Sequence, residues 1–150
     1  MSQGMGARDT QSKCDVYVLD ACALIAALQN EDGADKIVDV YEKVLAGEAE
    51  LVMHVVNLLE VYYDDYRAHG KEAADKMIAA VKALEIKIIT ETDDELFFEA
   101  GRLKASYKIS LADSFVLAQA NVLEGILITS DHHEFDVIES KESVRFLWIR

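Results

Sequence analysis

The 150-residue chain contains no proline, so no Pro breaker interrupts the helices and strands that its apolar pattern suggests. Its two cysteines, Cys14 and Cys22, are too few for a disulfide framework and are not spaced with histidines as zinc ligands; reduced thiols are expected. Basic residues are scarce, 15 Lys and Arg against 28 Asp and Glu, and the formal charge of −13 argues against gripping nucleic acid through a broad basic face. No apolar run approaches the roughly 18 residues of a membrane span. Residues 1–13 are polar and lack an apolar h-region, which gives the expectation of a cytoplasmic protein with a flexible tail over residues 1–14. What is there is a body over residues 15–150, in a chain 51% apolar, long enough to bury one core.

That body alternates between two periodicities. Residues 16–19 (Val-Tyr-Val-Leu) form a short apolar β-branched run suited to a buried strand, and 51–55, 86–89, 126–129 and 144–149 read the same way, the last at a sheet edge. Between them, helical spacing runs over 23–28, 35–46, 57–69, 71–84, 92–107 and 110–123. Gly47, Gly70 and Gly125 stand as stop signals, and Thr92-Asp93-Asp94-Glu95 reads as a capping box. The expected fold is α/β: a three-layer sandwich with a mainly parallel central sheet of about five strands and helices on both faces.

Open parallel sheets bind ligands beyond the carboxyl ends of their strands. Asp20 directly follows the first strand, and Asp131 lies two residues past the end of the fourth. Glu60 sits in the helix after the second strand with Asn57 on the same face, and Asp113 lies in the first turn of an apolar helix, on its buried stripe. Each acid also has a plainer reading. Asp20 fits an Asx turn, Asp113 fits a capping box with Ser110, Glu60 fits a pair with Arg67, and Asp131 fits ordinary loop polarity. Convergence at one edge changes the weights. Two carboxylates about 5–6 Å apart repel by on the order of 3 kcal/mol at an effective dielectric near 20. Four of them would rival the stability of a domain unless protonated or holding cations. Oxygen-only ligands suit Mg²⁺ or Mn²⁺, and two such ions clamp the attacking and leaving oxygens of a phosphodiester displacement.

Four segments carry a resemblance. Val18-Leu19-Asp20-Ala21-Cys22-Ala23-Leu24-Ile25, Asn57-Leu58-Leu59-Glu60-Val61-Tyr62, residues 110–118 around Asp113 and Leu127-Ile128-Thr129-Ser130-Asp131 resemble, in order, the four acidic blocks of PIN domains, closest to VapC-type toxins of toxin–antitoxin pairs. The resemblance implies a Mg²⁺- or Mn²⁺-dependent endoribonuclease that leaves 5′-phosphate and 3′-hydroxyl ends. Asp20, Glu60, Asp113 and Asp131 would be the catalytic, metal-binding acids, with one or two ions. Asn57 and Thr129 or Ser130 would orient ligands or waters. It also implies a homodimer and a small antitoxin protein that enters the catalytic groove.

Cys22 departs from the pattern, standing where a hydroxyl residue is common; a small buried side chain is expected there rather than an orienting one. Residues 132–136 read as a solvated loop, with Asp136 outside the site and the histidines neither ligands nor bases. For RNA, Arg102, Lys104 and Lys108 form a local basic group, Lys104 and Lys108 on one helix face. Arg67 and the Tyr62, Tyr63 and Tyr66 rings offer further contacts, although Tyr62 also suits the core. Leu96, Phe97 and Phe98 in succession cannot all face one core, which points to a partner surface. Two other functions share this pattern: an Asp-nucleophile phosphatase or a phosphoacceptor receiver domain, and a non-catalytic PIN-like binding module. The phosphatase pattern wants an acid where Cys22 stands, and a receiver has no use for a buried Glu60 and Asp113.

Overall fold

Successive residues of the 16–19 run alternate between two apolar environments, and that alternation builds the three layers. In the computed structural model, which describes residues 14–150, the elements are β1 (Asp15–Leu19), α1 (Ala21–Leu28), α2 (Ala34–Leu45), β2 (Ala49–His54), α3 (Val55–His69), α4 (Lys71–Lys82), β3 (Lys87–Ile89), α5 (Asp94–Ser106), α6 (Leu111–Val122), β4 (Ile126–Thr129), α7 (His132–Lys141) and β5 (Arg145–Trp148). The expected tail over 1–14 falls almost wholly outside the described residues. The strands line up in the order β3-β2-β1-β4-β5, every neighbour pair parallel, with Tyr17 beside Leu51 and Val18 beside Leu127. A receiver domain uses the order 2-1-3-4-5 and is excluded.

Tyr17, Leu19, Leu51, Met53 and Ile128 face a core completed by Leu24 of α1, Ile37 and Val40 of α2, Leu58 and Val61 of α3 and Val81 of α4. Val18, Val52 and Leu127 face the other way, onto Leu96 and Leu103 of α5, Val116 and Leu117 of α6, and Phe135 and Ile138 of α7. Burying a side chain of this kind contributes about 1.5–3 kcal/mol, so the strand alternation fixes which helices cover which face. Gly125 lets β4 start against β1, because a Cβ there would sit 2.9 Å from the Val16 carbonyl oxygen.

Four local readings change. Residues 132–136 belong to a helix, α7, rather than a loop; only Phe135 and Ile138 of it are buried, too few apolar positions for a visible period. The cap of α5 is Asp93, whose carboxylate accepts from Leu96 N–H at 2.9 Å, while the Thr92 hydroxyl turns to His54 Nε2 at 3.3 Å. α5 ends at Ser106 in extended backbone at Tyr107, so Lys108 leaves the helix face it was expected to share with Lys104. The left-handed residue after α6 is Glu124 (φ 52°), not Gly125.

The α1–α2 loop clasps the end of the chain. Lys36 Nζ donates to the Trp148 carbonyl at 3.0 Å, and Arg150 reaches the Asp32 carbonyl at 3.1 Å. Gly33 sits in this clasp at φ 93°, and a Cβ there would lie 2.3 Å from the Ile149 carbonyl oxygen. Gly101, mid-way along exposed α5, has nothing within 4 Å of its missing Cβ. Gly33→Ala is expected to cost about 1–3 kcal/mol, from strain and collision. Gly101→Ala should add up to about 1 kcal/mol of helix stability. Urea unfolding of both variants beside wild type checks the opposite signs.

Candidate active site

The carboxyl ends of β1 and β4 lie side by side, and the chain turns into a helix after each. Asp20 is the N-cap of α1: its Oδ1 accepts from Ala23 N–H at 2.8 Å, while its own N–H donates to the Ile128 carbonyl at 3.3 Å. Asp131 is the N-cap of α7, its Oδ1 accepting from Glu134 N–H at 3.2 Å and its N–H donating to Thr129 Oγ1 at 3.0 Å. Ser110 caps α6 by accepting from Asp113 N–H at 3.0 Å, which sets Asp113 in the first turn. Glu60 is half-buried on α3, one turn beyond Asn57. Asn57 is buried, and its Nδ2 donates to the Ala112 carbonyl at 2.9 Å, tying α3 to the residue before Asp113.

The four predicted acids act on one another. Burial pushes the Asp20 carboxyl up to about 6, with Asp131 adding to the rise against hydrogen bonds from Thr129, Ala23 and Cys22. Burial pushes Asp113 up to about 7, opposed by Ser110 and reinforced by Asp131, Glu134 and Glu60. Glu60 is raised by burial, then by Asp64, Asp20 and Asp131. Among the described residues none of these acids pairs with a Lys or Arg; the ion pairs lie elsewhere. Nor do any three His, Cys, Asp or Glu side chains among the described residues already converge on one point as metal ligands. The carboxylates lie within one another's electrostatic reach, and their donor set of hard oxygens fits a divalent cation such as Mg²⁺ or Mn²⁺.

Two residues that the sequence pattern did not mark belong to this cluster. Cys22, expected only to fill space, places its Sγ 3.1 and 3.2 Å from the two Asp20 oxygens and 3.3 Å from Ser130 Oγ, linking the ends of β1 and β4. Glu134, in the first turn of α7, faces Asp113; the spacing Asp131-x-x-Glu134 was its only trace in the sequence. Asp136 is engaged elsewhere, accepting from His132 Nδ1 at 2.7 Å, and that imidazole stacks on Trp148 at 3.9 Å.

The expected RNA contacts divide. Arg102 is already engaged, held by Glu99 and by Glu142, the residue just after α7, at 2.6 and 2.7 Å, with Tyr107 donating to the same Glu142. Lys104 and Lys108 are exposed. Arg67 is exposed too; it lies 3.8 Å from Asp64 and over the Tyr63 ring rather than pairing with Glu60. Tyr63 and Tyr66 are exposed, whereas Tyr62 is half-buried and donates its hydroxyl to Asp75 at 2.6 Å.

The PIN domain model matches residues 17–141. Comparison with the curated proteins gives no match. Among solved structures, the chain is similar to VapBC2 from Rickettsia felis bound to a DNA fragment from its promoter (TM-score 0.69, 17% identity, covering 88% of this chain and 97% of that one). It is similar to VapBC-1 from nontypeable Haemophilus influenzae (0.65, 16%, 89% and 98%). It is also similar to the Sarcin-Ricin loop cleaving toxin VapC20 of Mycobacterium tuberculosis (0.55, 17%, 86% and 98%).

The raised carboxyls have a measurable consequence. Asp113 ionises near 3.8 when unfolded and at about 7 when folded, so between those values the folded state holds the extra proton and stability falls as pH rises. Without divalent metal at pH 8, Asp113→Asn should therefore be more stable than wild type by about 1 kcal/mol, a figure discounted for solvent screening. Thermal melts should show this advantage closing as pH falls from 8 to 4; a variant less stable at pH 8 would leave Asp113 as a capping residue only.

Proposed function

The chain belongs to the PIN-domain family, and from that premise we propose that it is a metal-dependent endoribonuclease, the toxin of a toxin–antitoxin pair. One observation carries the reading: at the carboxyl edge of the sheet, burial and then the field of neighbouring acids hold the Asp20, Glu60 and Asp113 carboxyls above their ordinary range, Asp131 adds to each of these rises, and none of the four pairs with a Lys or Arg among the described residues. Helix capping accounts for Asp20 and Asp131 singly but not for four acids set in one another's field, and a binding module without catalysis would gain nothing from that repulsion.

These four acids would hold Mg²⁺ or Mn²⁺. When bound, such ions supply an activated water and stabilise charge on the phosphate oxygens of RNA. The chain's own groups prepare the place. Ala23 N–H and the Cys22 thiol fix the Asp20 oxygens, Thr129 braces Asp20 from the end of β4, and Ser130, the next residue, holds the Cys22 thiol. Asn57 sets the spacing of α3 from α6 and thus of Glu60 from Asp113. Cleavage would leave 5′-phosphate and 3′-hydroxyl ends. Lys104 and Lys108, with Arg67 once it leaves Asp64 and the Tyr63 ring, are exposed cations offered to the RNA backbone, with Tyr63 and Tyr66 as stacking surfaces. A cytoplasmic antitoxin with a basic segment would suit an acidic surface of this kind; among the described residues no helix is long and apolar enough to cross a membrane.

Incubating the purified protein with structured RNA plus Mn²⁺ or Mg²⁺ should give cleavage that chelator abolishes. Asp20→Asn should lose on the order of 100-fold or more, since even partners behind a metal ligand are worth 10–100-fold. Equal cleavage by wild type and Asp20→Asn sinks the site.

Association follows from α5. Phe97 and Phe98 are 62% and 70% exposed, and their rings meet edge to face at 5.3 Å beside the open Gly101. α5 begins with Asp94 and Glu95 and ends near Lys104, so two copies crossing antiparallel oppose unlike charges while burying the rings. Sedimentation velocity should show a homodimer for wild type and monomer for the Phe97→Asp, Phe98→Asp double variant.

A further inference from the structure

His54 is buried to 1% exposure where β2 ends and α3 begins. It is the N-cap of α3, and an imidazole is an unusual cap, because serine, threonine, aspartate and asparagine dominate that position. Its Nδ1 accepts from Val56 N–H at 3.1 Å. A ring nitrogen that accepts carries no proton, so the other nitrogen, Nε2, bears the hydrogen and donates to Thr92 Oγ1 at 3.3 Å. The ring packs 5.0 Å from that of Phe115, on α6 two residues beyond Asp113. One neutral imidazole therefore touches three elements: α3, the loop between β3 and α5, and α6.

What α3 presents next makes this contact consequential. Its first turn holds Asn57, whose amide is the tie to Ala112, and Glu60 follows one turn later. A proton added at Nδ1 would set two donors face to face at the cap, in a place water does not reach, and the first turn would lose its acceptor. The groups that face the ring are the Val56 N–H of α3, the Thr92 hydroxyl and the Glu91 backbone of the loop, and the Phe115 ring of α6; none of these groups is ionisable. Burial accordingly holds the imidazole below its ordinary range, so it stays neutral at physiological pH.

We infer that His54 is a positioning residue of the acidic site: its neutral ring caps α3 and locks Asn57 and Glu60 in register with α6, and protonation releases them. The inference rests on the nuclease reading only for its consequence in catalysis; the capping itself does not.

The test compares wild type with His54→Asn, which keeps a capping acceptor but cannot titrate, and His54→Ala, which has no acceptor. Amide hydrogen exchange is followed at residues 56–59 from pH 7.5 to 5, corrected for intrinsic rates. Wild type should lose protection of this turn as pH falls below the ordinary imidazole range, and His54→Asn should hold its protection throughout. His54→Ala should be about tenfold less protected at every pH. On RNA with Mn²⁺, His54→Ala should need more metal for half-maximal rate, His54→Asn should restore the wild-type requirement, and wild type alone should show an acid loss that tracks the exchange data on top of the loss all three share as the site carboxylates take up protons. If His54→Ala fails to fold, the His54→Asn comparison alone decides. A loss of protection with pH that is the same in His54→Asn as in wild type overturns the inference. Wild type inert on RNA at every pH would instead sink the nuclease reading, with the exchange data still deciding the role of His54.

Discussion

The structure turns on carboxylates that are brought together and, among the described residues, left without a basic partner. Asp20 is almost wholly buried, Asp113 and Glu60 are partly so, and each lies in the field of at least one other acid of the cluster. Burial and like charge both oppose ionisation, so the cluster weakens the metal-free fold near neutrality. The surrounding elements make that tolerable. Asp20, Asp113 and Asp131 sit at the carboxyl ends of β1 and β4 and at the starts of α1, α6 and α7, where free helix amides point outward and the helix dipole favours negative charge, whereas Glu60 lies beyond the first turn of α3.

The plain and the catalytic readings of these residues are therefore the same geometry seen twice. Asp20 and Asp131 cap helices, and Ser110 caps the helix that carries Asp113. Capping fixes one oxygen of Asp20 and one of Asp131 on a backbone N–H. Cys22 adds a contact of the same kind from a side chain. A thiol is a weak donor, yet at 3.1–3.3 Å it bridges the acid of one strand to the hydroxyl beyond the next.

Charge distribution sets the limits of nucleic-acid engagement. A chain at −13 has no general attraction for phosphate, and the strongest local cation, Arg102, is spent holding α5 to the end of α7 through Glu99 and Glu142. On the proposed reading, attraction would come from cations gathered by the acids, +2 each, at the point where a phosphate approaches, helped by a few lysines and exposed tyrosines. Engagement of that type would be local and metal-dependent rather than a broad electrostatic grip.

Much of this was legible from residue order alone. Short β-branched runs separated by helical periods determine a parallel α/β sheet, because strands buried on both faces must be apolar at every position. Parallel topology in turn sends the residues after β1 and β4 to one edge, which is why Asp20 and Asp131 were identifiable without coordinates. The helix α7 was not, since Phe135 and Ile138 alone carry its burial. Contacts between distant segments were also closed to sequence: Arg102 with Glu142, Cys22 with Ser130, and His54 with Thr92 and Phe115. Local pattern determines which face of an element is buried, whereas the partner of a buried polar group depends on how the layers stack. So the sequence determined the fold and the acids, and only tertiary packing decided which side chains hold those acids in place.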